Sequence, residues 1–263
     1  MRDVRITHIG GPTVLIEAGG WRLLTDPTFD PPGGSYRFGW GTGSRKTAGP
    51  AIAAADLPPI DAVLLTHEHH GDNLDPAGRA LLPSAVVVVT TVSGAGRLGG
   101  TARGLAPWAT TLLEAPGRPS IEVTATPCRH GPPLSHALVG DVIGFALGWD
   151  GQEEGQLWIS GDTVLYDGVR RVADRLKVDT ALLHLGGVQF PVTGPVRYTM
   201  TARQAVELIG LVRPRRAIPI HYEGWKHFTQ GRDVIERELA GAPADVRQRV
   251  RWLPIGAAVE LNA

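Results

Sequence analysis

The chain is short of cysteine. Its single Cys128 rules out an internal disulfide and makes a reducing compartment the simplest setting. Long apolar runs are missing too: no stretch approaches the roughly 20 residues of a membrane-spanning helix, so stable membrane insertion is not expected. Neither sign of charge is in excess, since Lys+Arg and Asp+Glu both total 26 and the formal charge is zero. Without a Lys/Arg block there is no footprint for nucleic acid or for an anionic membrane surface. The segment Met1 to Gly10 lacks a charged stretch followed by an apolar core of about 7–15 residues, the mark of a secretory signal. A cytoplasmic location is therefore expected. A length of 263 residues accommodates a substantial core, and a single domain over 1–263 is expected.

Glycine and proline, by contrast, are abundant, at 34 and 21. They punctuate apolar strands and so mark tight connections rather than disorder. Val4–Ile9, Thr13–Glu17 and Trp21–Thr25 read as short strands, with Gly10-Gly11 and Gly19-Gly20 as the turns between them. A long loop from Pro27 to about Pro50 follows, carrying Phe29, Tyr36, Phe38 and Trp40, and loops of this length are usually functional or mobile. The continuous apolar runs Ala62–Thr66 and Ala85–Thr91 are the pattern of strands buried on both faces. Later strands are predicted at Ile121–Thr126, Val142–Trp149, Gln156–Ser160, Thr180–His184, Ala217–His221 and Val250–Leu253. Helices are predicted at Leu74–Leu82, Tyr166–Leu176, Thr201–Val212 and Arg232–Leu239. Interleaving of this kind implies a layered α/β domain.

The chemistry is concentrated where strands end. Thr66-His67-Glu68-His69-His70-Gly71-Asp72-Asn73 follows a buried run and carries three imidazoles and two carboxylates. Nitrogen and oxygen donors together suit zinc, manganese or iron better than calcium. His130 follows another strand, Asp162 follows a third in Ser160-Gly161-Asp162-Thr163, and His221 ends a fourth. Each is weak alone. A layered α/β fold, however, gathers strand ends at one sheet edge. His67, His69 or His70, Asp72, His130, Asp162 and His221 would then suffice for one or two divalent metal ions, with zinc favoured and manganese or iron as alternatives.

In this order, His-x-His with a nearby Asp, a single His, Gly-Asp-Thr and a final His resemble the metallo-β-lactamase superfamily over nearly the whole chain. The segments Thr7–Gly11, Leu24–Pro27 and Pro219–Trp225 look most like its broad soluble branch, which includes ascorbate-6-phosphate lactonases and N-acyl-phosphatidylethanolamine phospholipases. The resemblance implies a four-layer αββα sandwich with metals at the edge of the two sheets. It also exposes a departure. One extra residue separates the histidines from Asp72, so either His69 or His70 supplies the second imidazole, and Asn73 stands where a second-site histidine is expected.

A bound metal can lower the pKa of water from 15.7 to about 7. The resemblance thus implies a hydrolase whose metal-bound hydroxide cleaves an ester, lactone, amide or phosphodiester, with Asp72 orienting it and accepting a proton and Asp162 bridging the metals. Asp26, Asn73 and His184 are expected beside the ligands. Tyr222, Glu223, Trp225 and Tyr166 are the candidates for contact with a small-molecule substrate. His8 is expected to be structural and His227 to lie on the surface, while Cys128 is read as a buried small residue rather than a ligand. A phosphodiesterase or phospholipase-like enzyme is the runner-up, along with a non-catalytic or sensing metal-binding protein on the same fold, which Asn73 makes conceivable. A di-iron redox role needs a flavin domain for which there is no room. A homo-oligomer is left open.

Overall fold

In the computed structural model, which describes residues 4–261, the chain begins as an antiparallel meander of β1 (Val4–Gly10), β2 (Thr13–Ala18) and β3 (Trp21–Thr25). Gly19 and Gly20 both take positive φ, 56° and 83°, as a two-residue hairpin turn demands. The long aromatic loop contains a hairpin of its own, β4 (Ser35–Gly39) with β5 (Thr42–Arg45). The chain then continues through β6 (Ala62–Leu64), α1 (Pro76–Leu81), β7 (Val87–Thr91), α2 (Val92–Leu98) and β8 (Ala102–Leu105), with β3, β6, β7 and β8 parallel.

A second sheet follows from β9 (Thr110–Leu113), β10 (Ile121–Pro127), β11 (Ile143–Gly148), β12 (Gln156–Ile159), β13 (Val178–His184) and β14 (Arg216–Ile220). Its helices are α3 (His136–Val139), α4 (Asp167–Arg175), α5 (Ala202–Val212), α6 (Arg232–Ala240) and α7 (Ala244–Arg247). The chain closes by returning to the first sheet as β15 (Ala258–Leu261), beside β1. The strand orders are β15-β1-β2-β3-β6-β7-β8 and β14-β13-β12-β11-β10-β9.

Period-two alternation sorts the side chains into layers. Val14 and Ile16 of β2, Ala62 and Leu64 of β6, and Val87 and Val89 of β7 meet Val123, Phe145, Leu157, Ile159, Leu182 and Ile218 between the sheets. The residues between them, Leu15, Val63 and Val88, face outward onto Leu74, Leu82 and the α1 side. On the far sheet, Ala181, Leu183 and Ala217 face Val169, Val172, Leu208 and Ile209 of α4 and α5. Both faces of these strands are covered, so they read as unbroken apolar runs. Burying each large side chain contributes about 1.5–3 kcal/mol. The result is the αββα sandwich that the resemblance implied.

Some elements differ from expectation. Val250–Leu253 is not a strand: Val250 makes one bridge to Ala217, and Leu253 is buried between the sheets. Here the chain is crossing from one sheet to the other, and Pro254 has no N–H to extend a ladder. The strand that forms is β15, a half-exposed edge with little apolar signal. The exposed strands β8 and β9 and the β4–β5 hairpin escaped sequence reading for the same reason.

Candidate metal centre

The parallel strands end together. Asp26 follows β3, Thr66 and His67 lie just past β6, His130 past β10 and Asp162 past β12, while His184 ends β13 and His221 follows β14. Two of these residues depart from ordinary backbone: Asp26 and His221 take φ of 32° and 56°, a region that non-glycine residues enter rarely and that concentrates at functional sites. The turn at His221 is held by its own N–H, which donates to the Gly11 carbonyl at 2.8 Å.

Three imidazoles converge. His70 Nδ1 lies 3.0 Å from His67 Nε2 and 3.2 Å from His130 Nε2, and all three rings are buried. The second nitrogens of two of them are already engaged. His67 Nδ1 is 3.0 Å from Thr66 Oγ1, and His130 Nδ1 donates to the Tyr198 carbonyl at 2.8 Å. Asp26, fully buried, accepts from Thr66 N at 2.7 Å and Thr66 Oγ1 at 2.9 Å with one oxygen, and from His184 Nε2 at 3.2 Å with the other. A chain of contacts thus runs from His184 through Asp26 and Thr66 to His67, the kind of support that fixes ligand orientation. Asn73 joins it, donating from Nδ2 to Thr66 Oγ1 at 3.4 Å.

His69 is turned differently. Its Nε2 donates to the Val139 carbonyl at 2.5 Å, and its Nδ1 faces the Glu68 carboxylate at 3.7 Å. Donor atoms of His67, His69 and His70 nevertheless lie within 4.8 Å of one another, as do those of His67, His130 and Asp162.

The second gathering is Asp72, Asp162 and His221, with donor atoms again within 4.8 Å. Asp162 Oδ1 lies 3.3 Å from His221 Nδ1, and Asp72 Oδ2 lies 3.6 Å from His221 Nε2. Asp72 Oδ1, both oxygens of Asp162 and both nitrogens of His221 are buried without a hydrogen-bond partner. Buried polar atoms are normally paired, and so many orphans gathered on three neighbouring side chains fit a cation.

The protonation states agree. Burial, with repulsion from neighbouring imidazoles, holds His67 and His70 well below the usual histidine value. Burial likewise lowers His130 and His221 to about 4, so the rings are neutral and able to ligate near pH 7. Burial and the nearby charges of Asp72 and Asp26 push Asp162 well above the carboxylate range. For Asp72, burial works upward, but the imidazoles of His221 and His227 outweigh it and hold the carboxyl well below its usual value.

His227 is the residue that sequence reading misplaced. Far from being a surface residue, it is buried, and its Nε2 donates to Asp72 Oδ2 at 2.8 Å. The aromatics of the long loop and of Phe190 enclose it, a tertiary arrangement with no local signature. The four candidates for substrate contact also sit elsewhere. Tyr222 is buried against Trp252 and His8, Trp225 against Tyr36 and Lys46, Tyr166 lies under Arg129, and Glu223 accepts from the Gly11 N–H. None of the four is among the described residues that line the cavity beside the imidazoles. Cys128 donates its thiol to the Ser160 carbonyl at 3.0 Å, and burial raises its pKa well above the ordinary value, so it stays protonated.

The cavity beside the imidazoles has a volume of about 320 Å³. Phe38, Trp40, Val188, Phe190 and Tyr198 form much of its wall, His70, Asp72 and His130 form its floor, and no Lys or Arg is among the described residues that line it. Phe38 comes from the β4–β5 hairpin, which is anchored where Tyr36 donates to Asp30 at 2.5 Å and packs its ring on Trp225.

An αββα sandwich with buried imidazoles and carboxylates at its sheet edge defines a metal-dependent hydrolase with the metallo-β-lactamase fold. The chain belongs to the family described as the beta-lactamase superfamily domain, whose sequence model matches residues 21–222. It is 24% identical over 251 residues to a UPF0173 metal-dependent hydrolase of Pyrococcus furiosus, covering 92% of this chain and 95% of the relative. It is 27% identical over 258 residues to one of Deinococcus radiodurans, covering 93% and 95%. The isothiocyanate hydrolase from Delia radicum gut bacteria superimposes with a TM-score of 0.80 at 19% identity, over 98% of this chain and 100% of that one, a likeness of fold.

Proposed function

We propose that this protein hydrolyses a small, uncharged, apolar acyl compound, an ester, lactone or amide, rather than a phosphodiester. The observation that carries this is the cavity wall: aromatic and aliphatic side chains reach the ligand cluster with no Lys or Arg to meet an anionic substrate. A phosphorylated substrate would forgo the charge-assisted pairing that such sites usually supply.

In this reading His67, His70 and His130 hold one cation, with His70 rather than His69 as the second imidazole, because His70 Nδ1 lies within 3.2 Å of the facing nitrogens of both His67 and His130, whereas His69 Nδ1 sits beside the Glu68 carboxylate. Asp72, Asp162 and His221 hold a second. Zinc is the ion that we assign to the imidazole group, with manganese or iron as alternatives for the carboxylate-rich one. When bound, such ions supply a water acidic enough to ionise near neutral pH and polarise the scissile carbonyl. The chain's own part is positional. Asp72, on the cavity lining, orients the water and takes its proton, and Phe38, Phe190 and Val188 press the apolar substrate against it and exclude bulk water.

The test is turnover by zinc- and manganese-loaded protein of a panel of neutral esters and lactones beside bis-p-nitrophenyl phosphate. Faster turnover of the neutral panel, abolished by Asp72→Ala, is expected. Turnover of the phosphodiester with none of the neutral compounds would overturn the reading.

A further inference from the structure

His227 lies outside every ligand position implied by the family pattern, yet it makes the shortest polar contact of Asp72. Its ring is clamped by aromatics. Phe190 stacks on it at 5.2 Å between centroids and 11° between planes, Phe38 lies at 5.2 Å, Phe228 at 4.7 Å and Trp225 at 5.9 Å. Nδ1 is buried and has no hydrogen-bond partner, so Asp72 is the ring's one hydrogen-bonded side-chain partner among the described residues. A carboxylate can only accept, so Nε2 must carry the proton, and a protonated nitrogen cannot ligate a cation. Nδ1 is enclosed by the aromatic rings, and His227 belongs to none of the candidate donor groups among the described residues, so it acts through Asp72 rather than beside it.

The contact leaves the two oxygens of Asp72 unequal. Oδ2 is held by His227, and Oδ1 is buried and unpaired. This matters because position 73 carries an amide in place of the imidazole expected there, and that amide is turned toward Thr66. We infer that His227 is a positioning residue that offsets the missing imidazole: by holding Oδ2 it fixes the Asp72 carboxylate beside His221, 3.6 Å away, as a preset ligand for the second cation. Carboxylate ligands depend on such hydrogen bonds, and loss of one typically lowers metal affinity about ten- to a hundredfold. The inference rests on the reading that Asp72, Asp162 and His221 hold a cation.

The experiment is calorimetric titration of the full chain with zinc and, separately, manganese, read as the affinities of the first and second equivalents. His227→Phe keeps the aromatic cage filled but removes the donor, and His227→Gln restores an N–H at similar reach. The expected result is a loss of about ten- to a hundredfold at the second equivalent in His227→Phe, with the first unchanged, and recovery to within a few-fold in His227→Gln. Wild-type affinity in His227→Phe would overturn the inference and leave the two-cation reading standing. So would a His227→Gln as weak as His227→Phe, which would mean that the imidazole itself ligates or fills space. A wild type that binds no second equivalent would overturn both.

Discussion

Asp26 offers the sharpest test of how the centre is held together. It is fully buried and accepts three hydrogen bonds, from Thr66 N, Thr66 Oγ1 and His184 Nε2. Asp26→Ala strands three buried donors, each worth about 1–3 kcal/mol when unpaired. Partial relaxation and sharing keep the sum below full additivity, so a loss of about 3–5 kcal/mol is expected. Asp26→Asn keeps a carbonyl oxygen for Thr66 and tolerates the left-handed backbone, but its amide NH₂ meets His184 Nε2 and forces the other tautomer there. It should cost about 1–2 kcal/mol. Urea unfolding of metal-free protein reads these values, and competition with a chromophoric chelator reads the first zinc equivalent. In Asp26→Ala that affinity should fall about ten- to a hundredfold, because Thr66 Oγ1 would no longer be fixed against His67 Nδ1. Asn and Ala variants of equal stability would refute the hydrogen-bond account. An unstable Asp26→Ala that held zinc as tightly as wild type would refute the orienting chain.

Other consequences are open to measurement. Acidification should destabilise the metal-free protein between pH about 6.5 and about 4: His130 and His221 stay neutral in the fold until about 4 but gain protons when unfolded, which amounts to about 3 kcal/mol per ring. His67 and His70 shift the same way, and the raised carboxyls of Asp26 and Asp162 act with opposite sign, so four rings outweigh two acids and stability should rise with pH across this window. Urea midpoints that rose on acidification would contradict it. Phe38→Ala should raise KM for an apolar ester about tenfold, equivalent to ~1.4 kcal/mol, because in the proposed reading its ring forms the apolar wall that meets the substrate; an unchanged KM would contradict that. Lys46→Met should cost about 3–5 kcal/mol in thermal or urea unfolding, since Asp75 would lose its 2.8 Å partner in a fully buried position. A change under about 1 kcal/mol would mean that the three backbone donors around Asp75 suffice.

The sequence by itself pointed to the layers and to the candidate donor types. Runs such as Ala62–Leu65 and Val87–Thr91, short and rich in β-branched residues, have the pattern of strands covered on both faces, and imidazoles and acids placed just past such strands have one sheet edge at which to meet. Tertiary structure alone decided which atoms meet. His69 and His70 are neighbours in the chain with the same chemistry, and they part because the Val139 carbonyl at the end of α3 meets one and His130, past β10, meets the other. The aromatics of the long loop gave no sign of their partners until the β4–β5 hairpin folded Phe38 over the imidazoles. His227, in an ordinary polar segment, gains its place because that hairpin and Phe190 enclose it against Asp72. Local pattern reports how often a side chain is covered. It carries no record of which distant group does the covering, and at this centre that identity sets the protonation and the direction of the candidate ligands.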